Sequence, residues 1–292
     1  MTKSLRYISG LISVLLAGAG FGFIGVFSRI CFRNGLSVGE VLSWRFILAA
    51  AILWAALILF KPKLIQLSLG QIFISIALGV FGYAVFSTFY FKAIEGLSVP
   101  LAVLLLYTFP ILVNIGAHFF LHQKMARGQM LSLLLACAGL AILLWGPLEI
   151  HKFSAVLFGF GSGLTYAIYV LVQGEVQRNV PPLSSSLYVI ASAAVTLVFF
   201  HHPHLIGVFS KPHIVLWCLL GLATVSTIMP LTLFLTGLQR IPSGQASIFV
   251  MIEPVVATIA AGFFLHESLS AHQSIGALLI LAALIINAVA KK

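Results

Sequence analysis

Ten times along this chain an apolar run of roughly twenty residues recurs with almost no charge inside it. The runs lie at about 7–29, 38–60, 71–92, 98–120, 128–147, 153–174, 182–201, 213–235, 244–265 and 272–290. A run of that length crosses the hydrocarbon core of a bilayer as one α-helix, and in lipid every backbone N–H and C=O must be satisfied within the segment. The alternative, a closed barrel, needs strands of about 10 residues with alternating polarity, and these runs do not alternate. The expected fold is all-α and polytopic, with ten transmembrane helices. Composition supports it: 61% of residues are hydrophobic and 8% charged, against about 25% charged in a soluble domain. The first run, from about Tyr7 to Ile30, exceeds the ~7–15-residue apolar core of a cleaved signal peptide and reads as the first span.

A formal charge of +10 raises the question of a nucleic-acid partner. The basic residues sit in ones and twos between the apolar runs, with no stripe or tail, so none is expected. They set direction instead. With a cytoplasmic amino terminus, the inside segments hold Lys3, Arg6, Lys61, Lys63, Lys124, Arg127, Arg178, Arg240, Lys291 and Lys292. The outside segments then hold Arg29, Arg33, Lys92, Lys152 and Lys211. Ten against five favours both termini in the cytoplasm. The short loops suit a multi-pass protein of a bacterial inner membrane. All six acids are Glu, which excludes intramembrane proteolysis by paired Asp. No H-E-x-x-H and no phosphate-binding Gly-Lys-Ser/Thr loop occurs, which argues against a metalloprotease and against direct ATP drive. Cys31, Cys137 and Cys218 match no metal or redox spacing. His201-His202-Pro203-His204 has no acid or Cys close in sequence and reads as an interfacial cluster. No cofactor and no metal are expected.

The chain also repeats itself. Phe119-Phe120-Leu121-His122-Gln123 returns as Phe263-Phe264-Leu265-His266-Glu267, 144 residues on. At the same offset Ala102 falls on Ala246, Pro110 on Pro254, Ile115 on Ile259, Ala117 on Ala261, Gln129 on Gln273, Leu134 on Leu278 and Leu140 on Leu284. Upstream, Arg33-Asn34 pairs with Arg178-Asn179 at an offset of 145. The chain is read as two five-span units, 1–147 and 148–292. Five is odd, so the second unit enters the membrane from the opposite side, which makes an inverted-topology repeat. Two inverted halves can exchange inward-open and outward-open shapes around a shared midplane site, the working principle of many secondary transporters. A non-transporting membrane receptor or scaffold is the alternative of a different class, although it would not need such a repeat.

Five plus five spans, Arg45-Phe46 early in span 2, and Glu253-Pro254 followed by Phe263-Phe264-Leu265-His266-Glu267 resemble the EamA family of the drug/metabolite transporter superfamily. The first repeat departs from the pattern. Phe109 precedes Pro110 where the second repeat has Glu253, and Gln123 stands where it has Glu267. The resemblance implies an inner-membrane carrier that exports amino acids or related small metabolites. It also implies a central cavity lined by spans 1, 3, 4, 6, 8 and 9, with spans 5 and 10 packed outside. Import or exchange of a nucleotide-linked metabolite is the alternative within transport. The partners expected are a small-molecule substrate and the lipid bilayer, for a monomer or homodimer.

Glu253 is the sharpest single residue. It lies near the middle of span 9, where an ionisable group is costly and is a functional candidate by default. It is a candidate for proton coupling or for a substrate amine; the alternative is a structural Glu bonded to backbone freed by Pro254. Arg45, the other intramembrane charge, is expected to snorkel outward, with Glu40 as partner; the alternative is contact with substrate. Polar and aromatic stripes add Tyr83, Ser87 and Tyr90 on span 3, Tyr107 and Asn114 (with His118) on span 4, and Tyr166, Tyr169 and Gln173 on span 6. Phe21 stands among the glycines of span 1. As a set these residues suit a cavity for small amphiphiles; singly, each reads first as ordinary packing or an interfacial belt. Gly20-x-Gly22-x-x-Gly25 is not a dinucleotide site, because it lies inside an apolar span with no strand before it. Gly18/Gly22 and Gly159/Gly163 form small-xxx-small pairs suited to close helix crossings.

Overall fold

The computed structural model describes residues 3–175 and 178–290. Lys291 and Lys292 of the charge count lie outside the described residues. The first repeat comprises α1 (Lys3–Gly22) and α2 (Ile24–Arg33), which form span 1; α3 (Val38–Phe60), span 2; α4 (Leu69–Ala77) and α5 (Val85–Ile94), span 3; α6 (Val99–Leu106) and α7 (Phe109–Leu121), span 4; and α8 (Arg127–Leu143), span 5. The second comprises α9 (Phe153–Glu175), span 6; α10 (Pro182–His201), span 7; α11 (His213–Ala223) and α12 (Met229–Leu238), span 8; α13 (Ser243–Phe249) and α14 (Ile252–Leu265), span 9; and α15 (Ala271–Val289), span 10. Among the described residues nine spans are long and apolar enough to cross a membrane, and α8 is a shorter apolar helix of 17 residues. An even number of spans leaves the start of α1 and the end of α15 at the same end of this bundle, called here the terminal face.

Local chemistry explains the ends. Ser37/Glu40, Ser68/Gln71 and Ser270/Gln273 are capping boxes that open α3, α4 and α15. The repeated FFLH motif is a helix stop. His122 and His266 adopt left-handed backbone at φ 51° and 56° and close α7 and α14. The paired Phe residues before them point outward, from 55% exposed at Phe264 to 81% at Phe120, as lipid-facing side chains do.

The two repeats are interrupted at matched places. Span 4 breaks at Tyr107–Thr108 and span 9 at Val250–Met251, within one residue of the 144-residue offset. Pro110 and Pro254 sit within the first three residues of α7 and α14, where a missing N–H and a clash with the carbonyl four residues back end the preceding helix. Spans 3 and 8 each contain a π-helical stretch, Leu78–Ala84 and Thr224–Ile228, and these too superpose at the 144-residue offset. Such stretches free backbone carbonyls within a helix and occur often at functional sites. The interruption of span 1 at Phe23 has no counterpart in span 6, where α9 is continuous.

The packing exchanges helices between the repeats. Span 1 lies against α12 and α14 of the second repeat, and span 6 lies against α5, α6 and α7 of the first. The small residues permit it. A Cβ on Gly18 would meet Val250 O at 2.9 Å and Ile252 Cγ2 at 2.5 Å; one on Gly163 would meet Leu106 O at 3.0 Å and Thr108 Oγ1 at 2.5 Å. These contacts are repeat images of each other, and each seats a glycine on the carbonyl exposed by a helix break. Spans 5 and 10 pair through Gly139 on Gly276, with the Ser132 hydroxyl donating to Ala283 O at 2.7 Å.

Candidate functional site

Side chains from the breaks of spans 4 and 9 and from the π-helical stretches of spans 3 and 8 converge on one cluster, where Tyr107 neighbours Glu253 and Arg45 neighbours Tyr83, Ser226 and Thr227. Glu253 is the second residue of α14, in the first turn after the break, and is partly accessible. That position suits a carboxylate, since the amino end of a helix carries partial positive charge. The Tyr107 hydroxyl, from the break of span 4, lies beside this carboxylate, and the Arg45 guanidinium is its charged neighbour. Phe109 occupies in span 4 the register position of Glu253 in span 9, so one broken helix offers a ring to the centre and the other a carboxylate.

Around them stands an aromatic wall. Tyr166 and Tyr169 stack with ring centroids 5.9 Å apart, and Tyr83 meets Tyr169 edge-on at 5.7 Å. Phe86 bridges Tyr83 at 4.9 Å and Tyr166 at 4.7 Å, Phe109 lies 4.7 Å from Tyr166, and Phe46 lies 5.2 Å from Tyr83. Five of the seven tyrosines of the chain, 83, 90, 107, 166 and 169, gather in this region. The wall comes almost entirely from spans 3, 4 and 6. Arg45 from span 2, Ser226 and Thr227 from span 8, and Glu253 from span 9 complete the cluster.

Arg45 departs from its expected place. It does not snorkel and does not pair with Glu40. Glu40 Oε2 instead accepts from the Ser37 backbone N–H and hydroxyl, both at 2.7 Å. Arg45 is 8% exposed and turns into the bundle, where Nε donates to Thr227 Oγ1 at 2.5 Å and Nη2 to Ser226 O at 2.7 Å. Its guanidinium carbon lies 5.3 Å from the centre of the Phe46 ring. The acceptor carbonyl lies in the π-helical stretch of span 8, so a local irregularity of one helix receives the charge of another. Arg45 was legible in the sequence as the second charge inside a span, but its expected direction was wrong: it turns inward to span 8 rather than outward.

Three of the selected residues lie outside the charged centre. Asn114 belongs to a polar network at the terminal face. Its Nδ2 donates to Pro110 O at 2.8 Å and to Gly244 O and Ser247 Oγ at 3.3 Å, while Gln129 Nε2 donates to its Oδ1 at 2.8 Å. Gln173 donates to Ser185 Oγ at 2.7 Å. Phe21 packs in the main core between Gly20 and Gly22 of span 1. Ser87 is buried one turn beyond Tyr83. Among the described residues no group of three or more His, Cys, Asp or Glu is placed to hold a metal ion.

A ten-span bundle of inverted repeats, with broken helices and a charged aromatic cluster between them, has the build of a secondary transporter. Known proteins supply the family: the model of the EamA-like transporter family matches residues 8–145 and again 153–289, and the chain belongs to it. A relative from Archaeoglobus fulgidus named "Uncharacterized transporter" is 29% identical over 72% of this chain and 74% of its own. Two from Bacillus subtilis, "Uncharacterized transporter YcbK" and "Uncharacterized transporter YxxF", are 22% and 24% identical over 94% and 99% of this chain, and each is covered over 91% of its length. A solved structure described as "Crystal structure of protein" shares the fold at TM-score 0.81 and 15% identity, over 98% of this chain and 96% of that one.

Proposed function

We propose that this protein is a bacterial inner-membrane secondary transporter that exports amino acids or closely related small metabolites by alternating access, with both termini in the cytoplasm. The observation that carries the reading is the placement of Glu253. A single carboxylate stands at the break of span 9, beside the Tyr107 hydroxyl and close to the tyrosine cluster of the first repeat and span 6. Such a centre offers an anion for an amine, aromatic faces for an ammonium and an apolar body, and hydroxyls for orientation. The carboxyl also serves as the proton-coupling site. The units expected to bind and rock are 1–147 and 148–292.

Solute counterflow in proteoliposomes tests this. Purified protein loaded with unlabelled amino acids is expected to take up the labelled counterpart saturably, for one chemical class of a panel, and an imposed pH gradient is expected to alter net flux. Absence of exchange for every amino acid, from protein that unfolds cooperatively on heating, overturns the substrate reading.

A further inference from the structure

The site holds two unlike charges that do not meet. Among the described residues the ion pairs are Arg29–Glu267 and Glu149–His151, both exposed; Arg45 and Glu253 form none. Yet each is the other's charged neighbour across the cluster. A guanidinium carries five N–H groups. Two of those of Arg45 are committed to Thr227 and Ser226, which fix its plane against span 8 while the Phe46 ring covers one side. The Tyr83 hydroxyl is a further neighbour, but no carboxylate among the described residues completes the fork. A buried guanidinium without an anion is costly, and its preferred complement is a planar carboxylate. Two buried hydroxyls nearby also lack partners: Tyr169 Oη, in the aromatic wall, and Ser226 Oγ, on the residue whose carbonyl receives Arg45.

We infer that Arg45 is the carboxylate receptor of the transport site, and that the substrate is a zwitterion bound between it and Glu253. The carboxylate takes the uncommitted N–H groups of Arg45 and the Tyr83 hydroxyl. The ammonium takes the Glu253 carboxylate and the faces of Tyr107 and Tyr166. The ligand thereby bridges two charges that the protein leaves apart, and a substrate with only one of the two groups leaves the other charge uncompensated. Arg45 is thus a specificity-determining residue. This assignment rests on the transport reading above and narrows it to compounds that carry both an amine and a free carboxylate.

The test is competition during counterflow, using the amino acid that exchanges best together with its carboxamide and its decarboxylated amine. Wild-type protein is expected to bind the two analogues at least ~50-fold more weakly, as a site built to hydrogen-bond a missing group does. Arg45→Lys keeps the charge but loses the fork. It is expected to raise KM for the amino acid about tenfold and to bring the analogues within a few-fold of it. Tyr83→Phe removes one hydroxyl and leaves the tether to span 8 intact; it is expected to shift the same ratio less and in the same direction. A purely structural Arg45 would lower exchange of acid, amide and amine alike, so an unchanged ratio in both variants overturns the assignment while transport stands. If no amino acid exchanges with wild-type protein, the transport reading falls first and the assignment with it. Equal competition by amide and acid in the wild type overturns the assignment alone.

Discussion

At the scale of single residues, the two intramembrane charges were not equally readable. Glu253 stands out because it is the only acid deep inside an apolar run, and lipid makes such a group expensive. Arg45 stands out too, but Glu40, five residues away, offers an obvious local partner. That partner is spent on the Ser37 cap, which a Ser-x-x-Glu spacing could have revealed. The tyrosines were visible as helical stripes, whereas the partners of Arg45 on span 8 were not, because no sequence pattern links positions 45 and 226–227. The proton role proposed for Glu253 gives a direct prediction. Glu253→Gln keeps the shape and removes the titrating group. Net flux driven by an imposed pH gradient is expected to disappear, while exchange persists with KM raised about tenfold through loss of the charge-assisted contact. Radiolabel uptake with and without the gradient reads both effects; a gradient response equal to wild type would place coupling on another group.

The elements show what spacing can and cannot convey. Helix number, the caps and the stops at His122 and His266 follow from apolar run length and short motifs. Pro254 marks a bend in advance, although the break itself falls at Val250–Met251, because the ring clashes with the carbonyl one turn earlier. The π-helical stretches were not legible: Leu78–Ala84 and Thr224–Ile228 share no signature residue pattern, and each is held by tertiary contacts. The glycines are the reverse case, visible as small-xxx-small pairs but silent about their partners. They seat span 1 on the break of span 9, and span 6 on the break of span 4. Gly18→Ala and Gly163→Ala are each expected to destabilise the protein by about 1–3 kcal/mol, since the new methyl meets a backbone carbonyl that cannot retreat. Gly25→Ala, with nothing within 4 Å of the new carbon, is expected to be neutral or to stabilise by up to ~1 kcal/mol. Thermal unfolding in detergent compares the three, and equal midpoints would remove the close crossings from the account.

At the scale of the whole molecule, the two repeats match in sequence and in their helix breaks but not in how they close. At the terminal face α13 packs against α7, and Asn114 joins them through Gly244, Ser247 and Gln129. The repeat images of these helices are α6 and α14, which form no corresponding packed pair. Asn114 maps onto Thr258, whose hydroxyl donates to Pro254 O of its own helix at 2.8 Å. Gln129 maps onto Gln273, which caps Ser270. The molecule is therefore asymmetric in one specific sense: spans 4 and 9 are joined on the side of the termini and released on the other. In an inverted repeat the second conformation exchanges these roles. A cysteine pair at 114 and 244, in protein with Cys31, Cys137 and Cys218 replaced, tests the closure directly. A Cβ on Gly244 lies 3.2 Å from Asn114 Cγ, close enough for a disulfide to form with little movement. Oxidation is expected to cross-link this pair, stop counterflow and leave substrate binding measurable from the opposite face, with transport restored by reduction. The repeat-image pair, at 258 and 100, is expected to cross-link only as the protein cycles with substrate, and then to trap the reverse shape. If the 114–244 cross-link forms and exchange continues at the wild-type rate, the contact between spans 4 and 9 does not gate the path, and the release of substrate must be sought at another helix pair.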